Sequence, residues 1–468
     1  MADDAEALFA AGTRRLSDGD LAAAETLLRE SLRLAPTLAE AHANLALTLE
    51  QAGRLADAEA SYRQAVALAP GQCQILVNYA GLLASQRRYA EAERIYLRAV
   101  QADPRSAQAW AHLGVLFASC KREAEAEQCY RTAMALAPDF ANARFNLAYV
   151  LLRQGRYAEG WECMEARNWL AATEQALALP RWHGQALAGK SLLIGPEAGH
   201  GDMIQFCRYA PLLKAAGVRR LSVLCHPPLA RLLRTLPGVD EVLAVGDPAP
   251  VDSWDYWTPP LSLPHHLQTR LETIPAELPY LAAEPALVAA WAARMSDGAG
   301  RRVGLVWKGN PRFENDSERS LPSLHTLAPL AGIPGLRFYS LQKGAGEDEA
   351  GDPGLPFSIV DLGSRIADFT DTAAIIANLD LLITVDTAAA HLAGALGKPC
   401  WVLLPDYQTD WRWLAGRDDS PWYPGVVRLF RQPAGSGWSP VIAAVAAALA
   451  VINFSSECTN FHYDPRQL

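Results

Sequence analysis

Residues 381–399 read LLITVDTAAAHLAGALGKP, and their order decides the fold class of the region around them. Leu381 to Val385 is a short, apolar, β-branched run of the kind that forms a strand buried on both faces. Asp386 and Thr387 end it, and the alanines that follow, with His391 and Leu392, suit a helix closed by Gly397 and Pro399. A strand that feeds directly into a helix leaves free backbone N–H groups and a positive helix end beyond its carboxyl edge. Anions, phosphates above all, bind at such places. Ala388, Ala389 and Ala390 are small enough to let a ligand approach the backbone. The stretch is expected to form half of a nucleotide-sugar pocket. The plainer alternative is an ordinary strand and helix, with Asp386 as N-cap and His391 as a satisfied, half-buried histidine.

The surrounding sequence repeats the strand–helix alternation. Val303 to Trp307, Arg337 to Leu341, Ser358 to Leu362, Cys400 to Leu404 and Val427 to Phe430 read as strands, with helices over Asp368 to Leu379 and Pro440 to Ala450. Upstream, Ser191 to Ile194, Arg220 to Cys225 and Glu241 to Val245 alternate with helical spacing over Met203 to Ala216 and Leu229 to Leu236. That succession predicts a second parallel sheet. The Pro- and Trp-rich run SWDYWTPPLSLPHH, 253–266, reads as a long loop.

The first third of the chain is a repeat array. Prolines 36, 70, 104 and 138 are each 34 residues after the last. Alanine stands twelve residues before each (Ala24, Ala58, Ala92, Ala126), and leucine or tyrosine eight before (Leu28, Tyr62, Tyr96, Tyr130). This period with these marks is the tetratricopeptide signature, two antiparallel helices per repeat. Such arrays stack into a solenoid whose first helices line the concave face. The sixth residues of repeats two to five are Asn44, Asn78, His112 and Asn146, and the second are Glu40, Gln74, Gln108 and Asn142. A carboxamide donates to and accepts from a peptide backbone at once, so one per repeat can hold an extended chain without reading its side chains. The row resembles the asparagine ladder of O-GlcNAc transferase, which grips acceptor polypeptides. The alternative is an ordinary solvated helix face.

The expected fold class is therefore α plus α/β. A solenoid of about 4.5 repeats over 1–156 is followed by Trp-rich capping and connector helices over 157–186. A Rossmann-like domain over 187–296, a second over 297–452 and a tail, 453–468, complete the chain. Half the residues are hydrophobic and a fifth charged, as in ordinary globular proteins. A net charge of −9 argues against a general nucleic-acid or anionic-membrane surface. The eight cysteines form no metal-ligand spacing and fit a reducing compartment. The acidic start, MADDAEALFA, lacks the features of a signal peptide, and no apolar run approaches the length of a membrane span. A cytoplasmic protein is expected.

Lys308 and Asn310, Gln342 and Lys343, and Asp386 and Thr387 fall at the expected carboxyl ends of adjacent strands, where open α/β sheets form ligand crevices. Lys308, Lys343 or Arg319 would neutralise a diphosphate whose charge grows as a glycosidic bond breaks. No D-x-D stands at a strand end: Asp18-Gly-Asp20 lies in a repeat turn, and prolines interrupt the stretch between Asp247 and Asp252. A metal-independent enzyme with no cofactor is expected.

The run D-T-x-x-x-H-x-A-x-A-x-G-x-P from Asp386 resembles the donor-site signature of heptosyltransferase-like glycosyltransferases, whose two facing Rossmann-type domains make the GT-B architecture. E-x-G-x-G-D-x-I-Q-F-x-R-Y (Glu197 to Tyr209), V-W-K-G-N-P and D-W-R-W (Asp410 to Trp413) extend the resemblance over nearly the whole chain. They resemble bacterial tetratricopeptide proteins with such a C-terminal half. The resemblance implies a nucleotide sugar bound by the second sheet, by Asp386, Thr387, Ala388 and His391 among others. Ala388 replaces the family's glycine and would narrow the phosphate site. It implies Asp202 as the base that takes the acceptor's proton; Asp202 equally suits the N-cap of a helix starting at Met203. His200 stands outside the family pattern and is given no role. The implied activity is transfer of a sugar to a polypeptide in the solenoid groove, a surface protein such as flagellin. The alternatives are lipopolysaccharide-type transfer, with the solenoid used for homo-oligomerisation, and a non-catalytic scaffold.

Overall fold

The computed structural model describes residues 2–247, 254–296 and 298–451. Asp252, Cys458 and the expected tail lie outside the described residues. The chain divides into two units, Met1–Val150 and Leu151–Leu468.

The first unit is helical throughout. Ala2–Ser17, Leu21–Leu34, Ala39–Gln51, Leu55–Leu68, Cys73–Ser85, Tyr89–Ala102, Ala107–Ser119 and Glu123–Leu136 follow one another, and Ala141–Arg153 starts the fifth repeat. Pro36, Pro70, Pro104 and Pro138 sit two residues beyond helix ends, where proline cannot continue the helix. Ala24, Ala58, Ala92 and Ala126 are fully buried at the crossing of paired helices. Packing there is tight: a Cβ on Gly114 would lie 2.7 Å from the Tyr130 ring. Asp20 is used as a cap, accepting from the Ala23 N–H at 3.2 Å.

The second unit holds two all-parallel sheets. In the first, β1 (Ser191–Ile194), β2 (Arg220–Cys225), β3 (Glu241–Ala244) and β4 (Tyr256–Thr258) run in the order β3-β2-β1-β4. In the second, β5 (Arg301–Val306), β6 (Leu336–Ser340), β7 (Ile359–Asp361), β8 (Leu381–Val385), β9 (Cys400–Leu404) and β10 (Val427–Arg431) run in the order β10-β9-β8-β5-β6-β7. Strand β4 corrects the sequence reading, which placed it inside a loop. It pairs with β1, while the Trp257 N–H donates to Pro180 O at 3.0 Å and the Trp182 N–H to Trp257 O at 2.8 Å. Partners on both sides make a strand of a segment too short to show alternation.

Every residue of β8 and β9 is buried, as the apolar runs require. Val303, Leu305, Ile383, Val385, Trp401 and Leu403 pack against Val441, Ile442, Val445 and Leu449 of the helix Ser439–Val451. Each such side chain contributes about 1.5–3 kcal/mol on burial. The connector forms two short helices, Tyr157–Met164 and Ala171–Leu177. Trp161 of the first makes edge contacts with Phe206, Trp411 and Trp422, which come from both sheet regions. The helix Pro285–Arg294, expected with the first sheet, packs on the helix Phe369–Ala377 of the second: Trp291 Nε1 donates to Asp371 at 3.0 Å. No helix among the described residues is long and apolar enough to cross a membrane.

Candidate functional site

Strand order locates the crevices. In the first sheet the chain turns from one side of β1 to the other between β1 and β4. In the second it does so between β5 and β8. Ligands of open parallel sheets bind beyond the carboxyl ends of strands at such reversals. The loops there are Gly195 to Gly199 after β1, Trp307 to Ser320 after β5, and Asp386–Thr387 after β8.

The helix after the first loop starts at His200, three residues earlier than expected, with Gly199 as N-cap. Asp202 therefore occupies its first turn and accepts the Gly199 N–H on Oδ2 at 2.7 Å. This is a cap, but one that reaches back from inside the helix. Its Oδ1 accepts from Arg412 Nη2, an ion pair between the two sheet regions. Arg412 also donates to Gln205 Oε1 at 2.7 Å and to both oxygens of Asp410 at 3.0 and 2.9 Å, and lies 4.3 Å over the Trp411 ring. The helices that follow β1 and β8 pack together at a glycine. A Cβ on Gly201 would sit 2.9 Å from His391 Cδ2 and 3.5 Å from Ala388 Cα.

On the second sheet, Asp386 is half-buried at the end of β8. Burial and the nearby Asp410 push its carboxyl up to about 6, against the opposing pull of Trp413, Arg319 and Arg412. The buried indole N–H of Trp413 faces this carboxyl without closing a hydrogen bond of good geometry. Thr387 Oγ1 is 3.0 Å from Thr384 Oγ1. His391 is buried, stacked on Trp413 at 5.3 Å, with Nδ1 2.9 Å from the Tyr423 hydroxyl. Burial, then Arg412 and Arg208, hold it well below its ordinary value, so the ring is neutral.

Other expected donor ligands have partners within the chain. Gln342 clamps the neighbouring loop. Its Oε1 accepts from the Trp307 and Lys308 N–H groups at 2.9 and 3.0 Å, and its Nε2 donates to Lys308 O and Ala345 O at 3.1 and 2.8 Å. The Nζ of Lys308 is paired with Glu349, which also takes the Trp307 indole N–H at 3.0 Å. Arg319 donates to Asp316 at 3.0 Å and lies 4.3 Å over Phe313, and Asn310 accepts the Arg312 N–H at 3.0 Å. Lys343 stays 52% exposed, 3.6 Å from Glu347.

In the first unit, Asn44 donates to Thr13 Oγ1 at 2.8 Å, Asn78 accepts from Gln74 at 2.8 Å, and His112 stacks on Tyr96 at 6.2 Å. Asn146 is half-buried on its helix. Half of each of the first two carboxamides is thus engaged within the solenoid, more than a bare solvated face would imply. Sequence reasoning gave no role to Arg412, Asp410, Trp413 or Phe369. The D-W-R-W run was visible, but Arg412 meets Gln205 across 207 residues, which no local pattern reveals.

Tetratricopeptide-repeat family models match residues 9–72, 49–116, 107–140 and 129–162. The N-terminal region is therefore a tetratricopeptide solenoid, a repeat type that mediates protein interactions. The chain is 34% identical over 295 residues to Protein FlbA of Caulobacter vibrioides, covering 58% of this chain and 48% of FlbA. It thus spans about half the length of that curated relative. Among solved structures, Pseudomonas aeruginosa PilF is similar at 26% identity and a TM-score of 0.34, over 35% of this chain and 75% of that one. MamA of Desulfovibrio magneticus follows at 18% and 0.31, over 37% and 97%.

Proposed function

We propose that the chain is a GT-B glycosyltransferase that moves a sugar, without a divalent metal, from a nucleotide donor to a polypeptide held by the solenoid. The observation that supports this best is the packing of the helices that follow β1 and β8, Gly201 of one against Ala388 and His391 of the other. A donor and an acceptor brought to two facing crevices share one reacting centre. In this reading the diphosphate lies at the start of the helix Ala388–Ala395, beside Thr387, with Arg319 and Lys343 adding positive charge. Asp386 and Asp410 face the donor sugar's hydroxyls, and Arg412 ties the donor side to Asp202. Asn44, Asn78, His112 and Asn146 bind the acceptor backbone. Metal independence rests on the lack of a D-x-D at a strand end in the sequence.

A second reading, a scaffold that binds without transfer, is favoured by the internal pairing of Lys308, Arg319 and Asp202. One experiment separates them. The protein is melted with UDP, GDP and CMP in excess EDTA, then given the labelled sugar nucleotide of whichever stabilises it, with a peptide library as acceptor. The transferase reading expects a higher melting midpoint, since a bound ligand stabilises by mass action, and label in peptide. Stabilisation or transfer that needs added manganese overturns metal independence. No stabilisation and no label leave the scaffold.

A further inference from the structure

The glycine-rich loop carries a titratable side chain that the reading above leaves unused. His200 opens the helix His200–Phe206 at the carboxyl edge of β1. Its ring lies 5.1 Å from that of His226, just beyond β2, and 5.2 Å from that of Phe369, which belongs to the second sheet region. It is half-buried there, facing both halves of the crevice. Among the described residues no hydrogen-bond partner is found for either ring nitrogen.

Asp202 is placed differently. One oxygen holds the Gly199 N–H and the other Arg412. Each oxygen of Asp202 thus has one of its lone-pair directions taken by a structural contact, whereas a general base needs a lone pair free to approach its substrate. The charged groups on the elements that carry Phe369 and His226 are also engaged. Asp368 caps the helix that carries Phe369, and Asp371 holds the Trp291 indole and the Ala367 N–H. Arg231 pairs with Glu284, and His226 leans on Ala198 O at 3.3 Å. Burial, then the neighbouring His226, lower the His200 pKa from its ordinary value, which keeps the ring neutral and able to accept a proton at pH 7.

We propose that His200 is the catalytic base of the transfer and that Asp202 is a positioning residue acting through Arg412. This rests on the transferase reading. In the step, the acceptor hydroxyl oxygen bonds to the anomeric carbon as its proton passes to an imidazole nitrogen of His200. The bond from that carbon to the donor phosphate oxygen breaks, and its electron pair leaves with the nucleotide. The proton then returns to solvent.

The test uses the full chain and water as acceptor. Donor hydrolysis is followed from pH 5 to 9 for UDP-N-acetylglucosamine, GDP-mannose and CMP-N-acetylneuraminic acid. His200→Ala should lower kcat about 10²-fold or more at pH 7.5, abolish the acidic limb of the profile, and recover part of the rate with added imidazole. His200→Asn, close in shape, should match it in melting temperature and be as slow without imidazole. Asp202→Asn should slow the reaction but keep the limb. If His200→Ala keeps its rate, or the limb vanishes in Asp202→Asn instead, the base assignment falls and the transferase reading stands. If the wild type turns over none of the three donors and transfers no label to peptide, both fall.

Discussion

In the solenoid, Arg54, Arg88 and Arg122 stand one repeat apart and make the same two contacts. Each reaches an acid 29 residues earlier (Glu25, Glu59, Glu93) and another three residues later (Asp57, Glu91, Glu125). Their side chains are 44%, 28% and 38% exposed. In the α/β unit, Arg167, Arg208 and Arg412 are buried instead. Arg167 is held between Glu197 and Glu165, and Arg208 donates to Trp422 O at 2.6 Å and Tyr280 Oη at 3.1 Å. Arg412 meets Asp202 from 210 residues away. The first set joins each repeat to the next through water-facing ladders, so stability there is a sum of small neighbouring increments. The second set joins distant segments in the dry interior, where losing one partner leaves a buried charge short of compensation.

The largest expected effect tests the buried set. Glu197→Leu leaves the Arg167 guanidinium short of a partner and should cost about 3–5 kcal/mol by urea denaturation. Adding Arg167→Met should recover much of that loss. A single-variant loss under about 1 kcal/mol would erase the contrast.

A middle-sized effect concerns Asp386. Its carboxyl is raised from 3.8 in the unfolded chain to about 6 in the fold, so its stabilising contribution is complete below pH 3.8 and lost as pH rises through 6. Asp386→Asn should therefore match the wild type near pH 4 and exceed its stability at pH 7.5 by about 1–3 kcal/mol. Thermal melts across that range check the sign, and a variant less stable at pH 7.5 would refute it.

The smallest effect is in the solenoid. Arg88→Ala should cost no more than about 1 kcal/mol, and the difference from wild type should shrink in 1 M salt. A loss as large as that of Glu197→Leu, insensitive to salt, would place this ladder with the buried pairs.

The solenoid was legible because its marks are local and periodic: a proline after each helix pair, an alanine where helices cross, a tyrosine against a small residue. Strand β8 was equally plain, since burial on both faces demands an unbroken apolar run. Strand β4 was not, because Tyr256 to Thr258 owes its conformation to β1 and Pro180 rather than to its own pattern. The strand-end cluster was legible in the sequence, and the partners of its side chains were not. Lys308 reads as free until Glu349 arrives from a segment with no strand or long-helix period. Asp202 reads as a base or a cap, and its pairing with Arg412 across 210 residues has no local signal.

Arg412 also gives the crevice a charge ledger. Arg412 pairs with Asp202 and Asp410, Arg319 acts on Asp386 while pairing with Asp316, and burial with the nearby Asp410 raises the Asp386 carboxyl to about 6. In the proposed reading, an incoming dianionic donor would draw a guanidinium away from its carboxylates, and Asp386, whose carboxyl is already raised, would take up a proton in response. If the proposed transferase reading holds, an anionic donor would enter together with a proton near neutral pH, its apparent affinity would fall as pH rises, and the heat of binding would carry the ionisation enthalpy of the buffer.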